Sequence, residues 1–233
     1  IRRYIMLGKN IAIRGIFSAI LFITMGISQV SLEIQNVDLD DPGCTDPQYT
    51  IQSDCEAAGV SATKWYTSTL DIYMTNQKGC SYCTDSEYVN KTGCEIFGSE
   101  GATWEFSTEI DSATCVAWDQ NNEEGIHGDY FDGNVKAFQF ELFGMTLTGI
   151  SGGLADEYLD YVDYNPATGV ILGSSFATSI IPVGEGVLTQ VSFSDYEGGD
   201  ICFGTDPANN VLSDASGGEI WTDWACTDEC GVP

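Results

Sequence analysis

Four stretches of this chain set apolar residues at every second position. "VSLEIQNV" puts Val30, Leu32 and Ile34 on one side and Ser31, Glu33 and Gln35 on the other. "STLDIYMTN" does the same with Leu70, Ile72 and Met74, and "NVKAFQFEL" with Phe138, Phe140 and Leu142. "GVLTQVSF" aligns Val187, Val191 and Phe193. A repeat of two is the period of an extended strand with one face covered, and it is incompatible with an amphipathic helix. Shorter strand candidates follow in "GMTLTGI", "GVILGSSF", "DICFG" and "GEIWTDW", each bounded by turn-forming Gly, Asp, Asn or Pro. Beyond residue 30 no long helical period occurs; short helical turns are expected around Ser53–Ala58, Thr92–Ile96 and Ala155–Leu159. Many short strands separated by turns define an all-β class, a two-layer β-sandwich.

Two small cysteine modules interrupt this pattern. "CTDPQYTIQSDCEAAGVSATKW" (Cys44–Trp65) returns 39 residues later as "CTDSEYVNKTGCEIFGSEGATW" (Cys83–Trp104), with 8 of 22 positions identical without a gap. One insertion, about 39–66, separates the first alternating stretch from the second. The other, about 77–133, separates the second from the third. A structureless loop of that length is improbable in a compact domain. Segments this small cannot bury enough apolar surface to fold unaided, so disulfides are the expected staples. The shared Tyr49/Tyr88 and Trp65/Trp104 are expected to form each module's small core.

The nine cysteines are Cys44, Cys55, Cys80, Cys83, Cys94, Cys115, Cys202, Cys226 and Cys230. All follow a leader-like N-terminus, and an odd count leaves one unpaired. Their connectivity is not fixed by sequence. Within each module two cysteines stand 11 apart; a bridge of that loop size contributes about 2–3 kcal/mol in the chain-entropy account. Cys80 and Cys83 have CxxC spacing, which suits redox or zinc chemistry in a reducing compartment and structural disulfides in an oxidising one.

The compartment follows from the first 28 residues. Arg2, Arg3, Lys9 and Arg14 accompany the apolar run "GIFSAILFITMGI", no acid occurs, and Gly26 and Ser28 offer a small-residue cleavage site. This is the pattern of a secretory signal peptide, with an uncleaved anchor as the alternative. The remaining segment, 29–233, holds four lysines (Lys64, Lys78, Lys91 and Lys136) against all 35 acids, a formal net charge of −31. Nucleic acid is excluded as a partner, because binding its phosphates requires Lys and Arg to displace counterions. Anionic lipid is disfavoured for the same reason. No membrane contact is expected beyond the signal peptide or anchor.

The order of strands and the pieces "FQFEL", "GMTLTGISGG" and "GVILGSSFATSIIPVGEGVLTQVSFSDYEGGDICFG" resemble cohesin-like domains. These are jelly-roll β-sandwiches related in fold to some carbohydrate-binding modules. The resemblance covers roughly 30–38, 67–76 and 134–222, and the cysteine insertions are additions to the usual pattern. It implies a jelly-roll sandwich over 29–222 and a non-catalytic role in surface display, adhesion or assembly. Cohesins themselves bind dockerins in cellulosomes. The ending "ACTDECGVP" resembles the opening of a Cys-rich repeat, so 223–233 is expected to begin a tail or linker.

Motifs for chemistry are sparse. His127 is the sole histidine, in the polar loop "EEGIHGDYFDG" with no nucleophile elbow near it, so a triad has no support. Carboxylate neighbours such as Asp156/Glu157, Asp160/Asp163 and Asp195/Glu197 are abundant, but 35 acids cannot specify a glycosidase pair by adjacency. No cofactor is required. Ca²⁺ is the one ion with candidate ligands: Asp119, Asn121 and Glu123 in "DQNNEEG", Asp129, Asp132 and Asn134 in "DYFDGN", and Asp38, Asp40 and Asp41 in "DLDDPG". The EF-hand pattern is not met. "NKT" makes Asn90 a glycosylation sequon. Tyr158, Tyr161 and Tyr164 recur at spacing three, as a sugar-stacking platform or as edge packing. The expected function is therefore a secreted or cell-surface binding, adhesion or assembly module whose partner is another extracellular protein or a glycan. A carbohydrate-binding module and an accessory domain of a secreted hydrolase are the alternatives.

Overall fold

The computed structural model describes residues 28–39, 43–44, 52–57, 65–66, 68–116, 126–196 and 201–225. The expected leader and the cysteines Cys226 and Cys230 lie outside these residues. In chain order the described elements are β1 (Val30–Asp38), β2 (Gly43–Cys44), α1 (Gln52–Ala57), β3 (Trp65–Tyr66), β4 (Ser68–Asn76) and β5 (Gly79–Cys83). There follow α2 (Lys91–Phe97), β6 (Trp104–Ser107), β7 (Cys115–Val116), β8 (Ile126–Phe131), β9 (Val135–Glu141) and β10 (Thr146–Ser151). The last are α3 (Gly153–Tyr158), β11 (Tyr161–Asn165), β12 (Val170–Ser174), β13 (Gly184–Ser194), β14 (Val211–Asp214), β15 (Glu219–Ile220) and β16 (Thr222–Ala225).

The chain folds as an all-β sandwich. One five-stranded sheet runs β10-β13-β4-β1-β16 and the other β11-β12-β9-β14-β15. The alternating residues read from sequence fill the space between them. Val30, Leu32, Leu70, Ile72 and Met74 from the first sheet are fully buried against Phe138, Phe140, Ile171 and Leu212 of the second. The rings of Phe138 and Phe140 stack at 5.4 Å, and Phe203 meets Phe140 edge-on at 5.5 Å. Offset and edge-on pairs of this kind match the ring quadrupoles.

Bulges decide which residues of the long strands face inward. In β13 the pairing with β4 jumps from Val187↔Tyr73 to Thr189↔Ile72, so Leu188 is an extra residue. Simple alternation expected Val187 inside; instead Leu188 is fully buried and Val187 only half-buried. One inserted residue inverts the faces on its far side, the ordinary consequence of a period of two. β1 has a comparable shift between Gln35 and Asp38, where Asn36 takes φ 50°, a left-handed conformation that Asn tolerates better than most residues.

Two strand expectations are corrected. The described residues of "DICFG", 201–204, form no strand: Ile201 and Phe203 are buried, and Phe203 makes an isolated bridge to Leu142. "GEIWTDW" is not one strand but two on opposite sheets. β15 closes the second sheet, whereas β16 runs parallel to β1 at the edge of the first. The first sheet therefore continues past residue 222. Trp221 sits at the crossover, its N–H donating to Gln29 Oε1 at 2.7 Å. The three short helices fall where the turns were expected.

The repeated modules share one pairing. Cys44 pairs with Trp65 across β2–β3, and Cys83 pairs with Trp104 across β5–β6. Each copy places a short helix between the paired strands, α1 carrying Cys55 and α2 carrying Cys94. In the second copy Cys83 bridges Cys94, 11 residues on. Cys80 bridges Cys115, 35 residues on. The CxxC cysteines thus take different partners and serve as structural staples on one strand. Cys55 and Cys202 are also disulfide-bonded. The second insertion forms its own four-stranded sheet, β6-β5-β8-β7.

Candidate functional site

A cleft of about 670 Å³ opens between the second cysteine module and one end of the sandwich. The module supplies Ser81 from β5, Trp104 from β6, Asp129 from β8 and Val89–Thr92 at the start of α2. The sandwich supplies Gln29, the Glu219–Thr222 crossover, Trp224 of β16, and Asn210 with the Cys202–Pro207 loop. Three of the chain's five tryptophans, Trp104, Trp221 and Trp224, line it, each half-buried.

Local structure holds these walls in place. Asn90 caps α2, its Oδ1 accepting from Gly93 N at 2.8 Å, a favoured way to satisfy a free N-terminal amide. Lys91 Nζ lies 4.8 Å from the centroid of the Trp221 ring, a cation–π contact joining module to sandwich. Lys91 also stands 3.9 Å from Glu95 one turn along the helix. On the other wall Asn210 is 8% exposed; its Oδ1 accepts from Glu141 N and its Nδ2 donates to the Asp206 carbonyl. Trp224 packs on Phe203 with centroids 5.2 Å apart. The Cys202 disulfide anchors the loop that carries Phe203 and Gly204. A cleft held this way pays little ordering entropy when a ligand arrives.

Its chemistry is mixed. Ser81 is 2% exposed, and its Oγ has no hydrogen-bond partner. A buried unpartnered hydroxyl costs about 1–3 kcal/mol. Desolvation, with the charge of Asp214 second, raises the Asp129 carboxyl above its ordinary range.

The structure separates the other sequence candidates. Asp129 lines the cleft, while Asp132 lies beyond the end of β8 and accepts from Asn134 N at 2.9 Å and from Asn134 Nδ2 at 2.8 Å. Asp119, Asn121 and Glu123 fall outside the described residues. Among the described residues no three His, Cys, Asp or Glu side chains form a metal-sized group. Asn90, the sequon residue, is exposed at the cleft rim. His127 on β8 does not line the cleft, and its Nδ1 has no partner. Tyr158 and Tyr164 pack against the core, whereas Tyr161 is exposed beside Phe176 with ring centroids 6.0 Å apart. The three tyrosines therefore form no common platform.

Sequence reasoning missed the cleft because its parts are distant in the chain. By sequence alone Trp104 belongs to the module's own small core, and Trp221 to the middle of a strand. Their shared signal is only that a tryptophan in a small module and one between two short strands both have faces left over.

Comparison with known proteins adds little. No protein-family profile matches the chain, and no curated protein matches it. A solved chain from a crystal structure of the CaDoc0917–CaCohA2 complex, a dockerin–cohesin pair, aligns over 84% of this chain and 96% of its own. Identity is 12% and the TM-score 0.38. At that distance no residue of that protein's binding surface carries over to this chain.

Proposed function

We propose that this chain is a non-catalytic extracellular recognition module and that the cleft between its second cysteine module and the sandwich is the ligand site. The observation that carries this reading is the cleft itself: a concave site with aromatic rings and a few convergent polar groups, built on rigid elements, is the usual form of a ligand pocket. Its position also fits a general rule, that binding lives on segments added to a stable scaffold. The disulfides favour an oxidising compartment, in keeping with secretion or surface display. The non-catalytic part of the reading rests on the sequence, which offers no catalytic motif. Adhesion or assembly on another extracellular protein and binding of a glycan both fall within it.

The test is a binding screen of the disulfide-intact protein against glycans and extracellular proteins, repeated with Trp221→Ala. The expected result is saturable binding that the variant loses, with the ligand recovered unchanged. Binding that survives in the variant removes the cleft as the site, and cleavage of a bound glycan replaces the module reading with an enzyme.

A further inference from the structure

We infer that the cleft takes a neutral oligosaccharide. This rests on the reading of the cleft as the ligand site, and it names the ligand's chemistry.

Three features converge on that class. The walls present the half-buried rings of Trp104, Trp221 and Trp224, which need an apolar partner face. Between them lie the polar side chains of Gln29, Asn90, Thr205 and Thr222. A pyranose ring answers both needs at once, with a C–H face to lie on an indole and a rim of hydroxyls that donate and accept. Amide and hydroxyl side chains donate and accept, as sugar hydroxyls do. The volume, about 670 Å³, lies in the range that encloses a small-molecule ligand and accommodates a short oligosaccharide.

Charge narrows the competing classes. An anionic ligand, including an acidic sugar, meets Asp129 and Glu219 at the site and a chain with 35 acids against 8 bases. A cationic ligand is drawn by those carboxylates and meets local repulsion from the Lys91 ammonium, 4.8 Å from the Trp221 centroid, so oligolysine is the comparison that separates it from a neutral sugar. The same ammonium donates readily to a neutral hydroxyl. An all-apolar ligand takes the polar side chains of the cleft out of water without giving them partners.

The experiment is a titration of the disulfide-intact protein followed by tryptophan fluorescence and calorimetry. The probes are hexaoses of β-1,4-linked glucose, mannose, xylose and N-acetylglucosamine, with oligogalacturonate and oligolysine as charged comparisons. The expected result is saturable binding of at least one neutral hexaose, weakened about tenfold by Trp221→Ala. Trp104→Ala, on the module wall and outside the sandwich core, is expected to weaken the sugar as well, with the ligand-free melting temperature of each variant as the folding control. If no neutral hexaose binds more tightly than about 1 mM, the inference is overturned. Should oligolysine or an extracellular protein then bind in a Trp221-dependent way, the cleft stands as the site and only its ligand class is wrong. Sugar binding indifferent to both variants sinks the inference and the cleft together.

Discussion

Cutting the Cys80–Cys115 bridge tests whether the second module is held by its staples or by the sandwich beneath it. The perturbation is the paired change Cys80→Ala and Cys115→Ala, which leaves neither partner of the bridge as a new free thiol. The bridge closes a loop of 35 residues, for which the chain-entropy relation gives about 3.8 kcal/mol. The Cys83–Cys94 bridge is nested inside it and trims this by a few tenths; on its own 11-residue loop the inner bridge is worth about 2.8 kcal/mol. Both cysteines of the outer bridge are nearly inaccessible, at 0% and 5% exposure, so lost packing adds to the effect. The assay is native-state hydrogen exchange. Amides of β5 and β8, which pair from Gly79↔Phe131 to Tyr82↔Gly128, are expected to exchange several hundredfold faster, at about 1.4 kcal/mol per factor of ten. Those of β4 and β13 keep their protection, because their side chains sit in the sandwich core. A change below tenfold in β5 and β8 refutes the loop-closure argument. An equal loss in β4 and β13 refutes the separation of module from scaffold.

Three further outcomes follow from the packing and charge. Leu188→Ala is expected to cost about 2–5 kcal/mol and Val187→Ala no more than about 1 kcal/mol in urea denaturation, since the bulge buries Leu188; the reverse order denies the bulge. A Cβ on Gly173 collides with the Phe138 ring, so Gly173→Ala is expected to overpack the core and destabilise by about 1–3 kcal/mol; an unchanged denaturation midpoint contradicts this. The Asp160 carboxylate accepts from Ser175 Oγ, Phe176 N and Ala177 N, which lowers its pKa, the serine bond first. A lowered folded-state pKa contributes stability above the unfolded value, near 3.9, and loses it as pH falls through the folded value. The melting-temperature gap between wild type and Asp160→Asn is therefore expected to be full at neutral pH and to close in acid; a gap that widens in acid contradicts the assignment.

Alternation alone specified the inward residues of β1, β4 and β9, because side chains on a strand change face at every residue whatever lies far away. The repeat likewise marked two copies of one cysteine module, and the structure gives both copies the same pairing, Cys44 with Trp65 and Cys83 with Trp104. Where a choice depended on distant segments, the chain by itself was silent. Cys80 had several cysteines within reach, and only the folded four-stranded sheet brings Cys115 to it. The extra residue at Leu188 is visible only once β13 lies against β4. The cleft goes furthest in this direction. The Trp221 amide meets Gln29 across 192 residues because β16 returns beside β1, at the other end of the chain. Periodicity records how a segment meets a surface, but it does not say which surface, and that second choice is the one that built the site.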